Sequence, residues 1–140
     1  MIRAWGQFLA LTLLVCVPSF AFDATHAAWG SWLTEFTTPA GELTEVNYSK
    51  AKETPAPLNA YLKSLSEVTP AEYEKWVTSD RLAFLINAYN AFAVQLVLTH
   101  YPIASIKDLG GFFSSPWTHK FFTLLGKEQS LDGIEHGLIR

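Results

Sequence analysis

The chain has a single cysteine in 140 residues. It is Cys16, and it lies inside an apolar N-terminal run. An internal disulfide framework is therefore excluded, and so is thiol chemistry by any residue after Cys16. No long run of one charge is present, and the formal net charge is −3. A nucleic-acid-binding domain would carry a basic patch or stripe, and a protein drawn to anionic membranes a polybasic segment. Neither is expected here. Several catalytic motifs are also lacking. Gly110-Gly111 stands without the Gly-x-x-x-x-Gly-Lys pattern of a phosphate loop. Ser114 and Ser115 sit in no Gly-x-Ser-x-Gly elbow, which argues against a serine hydrolase. No His-Glu-x-x-His spacing or other ligand cluster calls for a metal, and no cofactor is expected. Internal repeats, low-complexity tracts and domain-dividing linkers are absent, and the length fits one domain.

The first residues do carry a leader pattern. Arg3 supplies a positive start, Phe8 to Val17 is apolar, and Pro18 breaks the run. Ser19-Phe20-Ala21 then places small residues at the −3 and −1 positions before Phe22. The apolar run falls short of the roughly 20 residues that a membrane-spanning helix needs. We read residues 1–21 as a secretory signal peptide and 22–140 as a single domain, with no stable membrane span once the leader is removed. Val15 before Cys16 disfavours a lipoprotein site. The expected location is the periplasm or the exterior. Cleavage after Ala21 would remove Arg3 and Cys16, leaving nine basic and thirteen acidic residues, a net charge of −4.

Hydrophobic residues make up 49% of the chain, enough for a core. Trp29, Trp32, Leu33 and Phe36 recur at helical spacing and predict a helix over Ala27 to Phe36, with the aromatic stripe as core rather than a carbohydrate platform. Thr38-Pro39-Ala40-Gly41 ends it, and Leu43 to Tyr48 reads as a brief strand or extended arm. One helical turn follows over Ser49 to Glu53. Thr54 and Pro55 open a helix with Leu58, Tyr61, Leu62 and Leu65 on its apolar face. Thr69-Pro70-Ala71-Glu72 has the form of a capping box, with Tyr73, Trp76 and Val77 on the buried side of a short helix. The longest helix runs from Arg81 to His100, starts at Ser79 or Asp80 and stops before Pro102. Its apolar residues lie nearly all round, which predicts a central buried helix. Ile103 to Leu109 reads as a short helix or turn. Gly110-Gly111 permits positive φ, and Phe112 to Trp117 forms an irregular aromatic loop. Lys120 to Leu125 and Glu128 to Ser130 form a hairpin through a type II′ turn at Gly126-Lys127. Ser130 caps a last helix whose apolar face is Ile134, Leu138 and Ile139.

Few residues suggest chemistry. His26 falls in an expected flexible terminus, His100 complements a helix C-terminus, and His119 reads as a surface residue. His136 is the best candidate for acid–base work, because imidazole titrates near neutrality. Glu135 is its neighbour, but adjacent helical side chains point about 100° apart and do not make a simple dyad. Asn87 and Asn90 lie three apart on the long helix. They either clamp nearby backbone or line a site. Trp117, with Phe112 and Phe113, is a candidate pocket wall.

Arg81-Leu82-Ala83-Phe84-Leu85-Ile86-Asn87-Ala88-Tyr89-Asn90-Ala91 resembles the signature helix of the domain of unknown function 547 family, DUF547. Ile106 to Trp117, Phe121 to Gly126, and Ser130-Leu131-Asp132-Gly133-Ile134-Glu135-His136-Gly137-Leu138-Ile139-Arg140 resemble its following blocks, so the likeness runs from Asn47 to Arg140. Leu85 departs from a frequent tryptophan, and Gly133 from a frequent aspartate or glutamate. The family is similar, distantly, to papain-like cysteine peptidases and transglutaminases. The resemblance implies hydrolase or acyl-transfer chemistry, with His136 and Glu135 in the acid–base block and Asn87 and Asn90 in the signature helix. Family members continue past the Glu-His block to a cysteine near a Cys-Pro sequence. The resemblance thus implies a C-terminally incomplete chain whose nucleophile lies beyond Arg140. The expected fold is α+β, mainly helical, with a small antiparallel β-hairpin near the C-terminus, part of a papain-like or transglutaminase-like fold. The two functional readings are that enzyme and a non-catalytic exported binding or scaffold domain; the partners are left unknown.

Overall fold

The computed structural model describes residues 21–110 and 115–140. The leader call on residues 1–20, and the calls on Gly111, Phe112, Phe113 and Ser114, lie outside them. The architecture is α+β and mainly helical, with two separate two-stranded antiparallel sheets. Helix α1 (Ala27–Phe36) leads into a hairpin of β1 (Thr37–Ala40) and β2 (Leu43–Val46). Helices α2 (Tyr48–Glu53), α3 (Ala56–Glu67), α4 (Pro70–Tyr73) and α5 (Thr78–His100) follow, then a 3-10 turn over Ile106–Leu109. A second hairpin, β3 (Phe122–Leu124) with β4 (Lys127–Gln129), precedes α6 (Leu131–Ile134) and a π-helical turn over Glu135–Ile139.

Helix α1 forms where the aromatic spacing places it. Trp29, Trp32 and Phe36 are all buried. The Trp29 indole is sandwiched between Trp32, at 5.1 Å, and Tyr61 of α3, at 5.6 Å, with near-parallel planes. Offset stacks of this kind add to the area that the rings bury. Burial makes both indoles part of the core. Trp32 Nε1 lies buried without a hydrogen-bond partner among the described residues.

The first hairpin replaces the expected break after α1. Ala40 pairs with Leu43, leaving Gly41-Glu42 as a two-residue turn with Gly41 at φ 65°. Positive φ at the first central residue alone is the type II′ pattern, which glycine adopts without steric cost. The second hairpin turns one residue earlier than the sequence implies. Leu124 pairs with Lys127, and both Leu125 (φ 50°) and Gly126 (φ 72°) take positive φ, as in type I′. A leucine is an unusual occupant of that conformation, so residue preference pointed away from it. Gly110 has φ −84° and makes no use of its freedom.

Three further expectations are corrected. Thr54 closes α2 instead of capping α3, which starts behind Pro55 with Pro57 in its first turn. Val77 is exposed and serves as the N-cap position of α5. The capping box at Thr69 is half made: Thr69 Oγ1 accepts from Glu72 N at 3.2 Å, but the Glu72 carboxylate accepts from Phe22 N instead.

Helix α5 is the spine. Phe84, Leu85, Ala88, Ala91, Phe92, Val94 and Leu96 are buried, and the helix packs against α2, α3, α6 and the π turn. Phe92 stacks on Phe122 of β3 with centroids 3.8 Å apart. Arg81 ties the entry corner by donating to the carbonyls of Trp76 and Glu74. By length and composition α5 could cross a membrane, with mean hydropathy 1.6 over its most apolar window; its packed face makes it the core helix of this fold. It is not buried all round. Leu82 and Ile86 are 44% and 45% exposed, Asn90 is exposed and Asn87 half-buried. The expectation of a helix buried all round thus fails on the side of Asn90, because the neighbouring elements cover only one side of the helix.

The unpartnered Trp32 N–H makes a testable difference between two substitutions. Trp32→Ala should cost about 3–5 kcal/mol through lost burial and a cavity. Trp32→Phe loses area but also removes a buried donor whose lack of a partner costs about 1–3 kcal/mol; its net cost should stay below about 1.5 kcal/mol in urea unfolding of the two variants.

Candidate functional site

The C-terminal polar cluster is built on α6. Ser130 is buried and its Oγ accepts from Gly133 N at 3.0 Å, capping a helix too short to stand alone. Leu131 and Ile134 are fully buried and seat α6 on α5. A Cβ at Gly133 would meet the movable end of Gln129, Oε1 at 2.7 Å, and the capping Ser130 Oγ at 3.2 Å. At Gly137 nothing lies within 4 Å of the corresponding position. A second tie holds the loop before the hairpin, where Asp132 N donates to Trp117 O at 2.9 Å.

On this base the Glu135-His136 pair divides. His136 Nδ1 lies 3.1 Å from Asp132 Oδ1, one helical turn back. Glu135 Oε1 lies 3.2 Å from Arg140. The two neighbours therefore look to different partners, since adjacent side chains on a helical turn point apart. Both members of the Asp132–His136 pair are about half exposed, so the imidazole is reachable from solvent. With Asp132 on Nδ1, the chemistry of the ring is left to Nε2.

Tyr89 of α5 extends the cluster inward. Burial first, then the negative charge of Glu135, raises its phenol above the ordinary range, and the nearby Trp117 side chain acts the other way; Asp132 adds to the rise. Trp117, Tyr89, Asp132, Glu135 and His136 thus belong to one neighbourhood. Asn90 does not join it. It lines a separate groove of about 650 Å³ between α1, the first hairpin, α5 and the 3-10 turn, with Trp29, Val94, Val97 and Ile106. Asn87 makes no side-chain hydrogen bond among the described residues. His119 is exposed, and His100 Nδ1 faces Leu96 O at 2.9 Å at the end of α5, a structural role.

Asp132 is the partner of His136 that the sequence also carries, since Asp-x-x-x-His spacing places the two on one helical face. His26 departs from the expected flexible terminus. That ring is buried, with Nδ1 2.7 Å from the Tyr61 hydroxyl, and it flanks a cleft of about 900 Å³ lined by Phe22, Asp23, Tyr61, Glu72 and Lys75. The cleft shares no lining residue with the His136 cluster. Burial lowers the His26 pKa, opposed by the charge of Asp23. Among the described residues no three His, Cys, Asp or Glu side chains are grouped to hold a metal.

Two measurements check this geometry. Ser130→Ala should cost about 0.5–2 kcal/mol, the usual worth of an N-cap, read as a lower urea midpoint at unchanged slope. His26 binds its proton more weakly folded than unfolded, so its contribution to the folded state is full above the unfolded value of about 6.5 and is lost as pH falls from there through the lower folded value. The urea midpoint should accordingly drop between pH 8 and pH 5, and His26→Gln should flatten the drop.

A family model described as "Protein of unknown function, DUF547" matches residues 73–140. The match begins at Tyr73 rather than Asn47, and it takes in α5, the second hairpin, α6 and the π turn. No curated protein and no solved structure matches the chain.

Proposed function

We propose that the protein is exported to the periplasm or the exterior, and that its DUF547 segment carries the acid–base half of a hydrolase or acyl-transfer site of papain-like or transglutaminase-like type. The observation that carries the reading is the Asp132–His136 contact of 3.1 Å on an exposed helical face. A carboxylate on Nδ1 fixes the ring and presents Nε2 as the base, which is the logic of a catalytic triad without its nucleophile. Residues 22–140 contain no cysteine, so the thiol would come from sequence beyond Arg140. His136 Nε2 would take the thiol proton as the thiolate attacks an acyl carbonyl, and would return it to the leaving amine or alcohol. Asp132 orients the ring. Glu135 acts at one remove, through Arg140 and the charge it places beside Tyr89. Trp117 would form the wall of the site.

The test uses the full natural gene product on amide, ester and acyl-transfer substrates. His136→Ala should lower kcat/KM about 10²- to 10⁴-fold, the usual worth of a general acid–base group, and Asp132→Asn less. Turnover unaffected by His136→Ala contradicts the assignment. No turnover by the wild type on any substrate contradicts the enzyme and leaves a non-catalytic binding domain, a reading favoured by the groove that Asn90 lines.

A further inference from the structure

We propose that the mature N-terminus is Phe22, and that Glu72 is the receptor for its α-amino group. The inference rests on the export reading and not on catalysis. Phe22 N donates to Glu72 Oε1 at 3.0 Å across fifty positions of sequence. The Phe22 ring is held edge-on to Phe84 at 5.3 Å and lies 5.7 Å from Trp76 and 5.2 Å from His26. Anchoring continues along the chain: Asp23 accepts from Thr25 and from Ala27 N at the start of α1, and His26 bonds Tyr61. Ala21, on the other side of the bond, is exposed. The small residues Ser19 and Ala21 mark this same bond for cleavage.

Hydrolysis of Ala21–Phe22 by a leader endopeptidase adds one water. Ala21 leaves as a carboxylate, and Phe22 gains an amine that protonates. The peptide N–H that now donates to Glu72 becomes an ammonium with three donors and a positive charge. A charge-assisted hydrogen bond is roughly twice as strong as a neutral one. The setting suits that charge. Asp23, Glu67 and Glu72 line the cleft against a single cation, Lys75, with His26 held towards its neutral form. Glu72 is also at liberty to serve, because it does not close the capping box on Thr69. Processing would then lock α1 to α4 and α5, so that the exported form is held more firmly than its precursor.

The full gene is expressed with export, and the N-terminal sequence and the α-amine labelling rate of the purified protein are measured at pH 7. The proposal expects a sequence starting at Phe22, and labelling about three- to tenfold slower than in Glu72→Gln, whose amide keeps the acceptor and removes the charge. Cooperative thermal unfolding of the variant confirms that its amine is compared in a folded protein. A start at residues 1–3 overturns both the inference and the export processing beneath it. A processed start other than Phe22 overturns the inference alone. A start at Phe22 with equal labelling rates removes Glu72 as receptor.

Discussion

The burial of one face of α5 is the constraint on which the rest depends. Phe84, Ala88, Ala91 and Phe92 leave no solvent on that side, and each neighbouring element is placed by what it lays there. Helix α3 brings Leu58, Leu62 and Leu65, the second hairpin brings Phe122 and Leu124, and α6 brings Leu131 and Ile134. The small alanines let the partners approach closely, and the aromatics fill the space between them. The opposite stripe, with Leu82, Ile86 and Asn90, keeps substantial contact with solvent. A helix apolar nearly all round is thus used as a one-sided spine.

The polar chemistry follows from that seating. A helix as short as α6 has little stability of its own. It is held by two fully buried side chains below and by the Ser130 hydroxyl at its start. Asp132 of α6 and His136 of the π turn that continues it then stand side by side, with Tyr89 of α5 and Trp117 of the preceding loop close by. The other end of the molecule uses a comparable device. Phe22 wedges its ring among Trp76 and Phe84, and the polar atoms of the first turn find fixed partners in Glu72, Asp23 and Tyr61.

The parts legible in the sequence were those with strong periodicity or a specific cap. Helix α1 has the bounds that Trp29, Trp32 and Phe36 implied, and Ser130 caps where expected. The DUF547 blocks lie within the matched residues. Turns were harder. Leu125 at positive φ defies residue preference, so the second turn was shifted by one position, and the first hairpin was hidden behind Pro39 and Gly41, which normally signal a break. Long-range partners were beyond reach. Nothing local shows that His26 meets Tyr61, or that Glu72 turns from its own cap to Phe22. The Asp132–His136 spacing is legible in the sequence, but the adjacent Glu135 is the more obvious partner by position alone.

The central contact is Asp132 holding His136 by Nδ1, which leaves Nε2 for proton transfer. Long-range proton–nitrogen correlation spectra of the full protein, recorded at a pH where the imidazole is neutral, report which ring nitrogen carries the proton. The expected result is a proton on Nδ1 in the wild type and loss of that preference in Asp132→Ala. A wild-type ring protonated on Nε2, or a ring indifferent to Asp132→Ala, would contradict it.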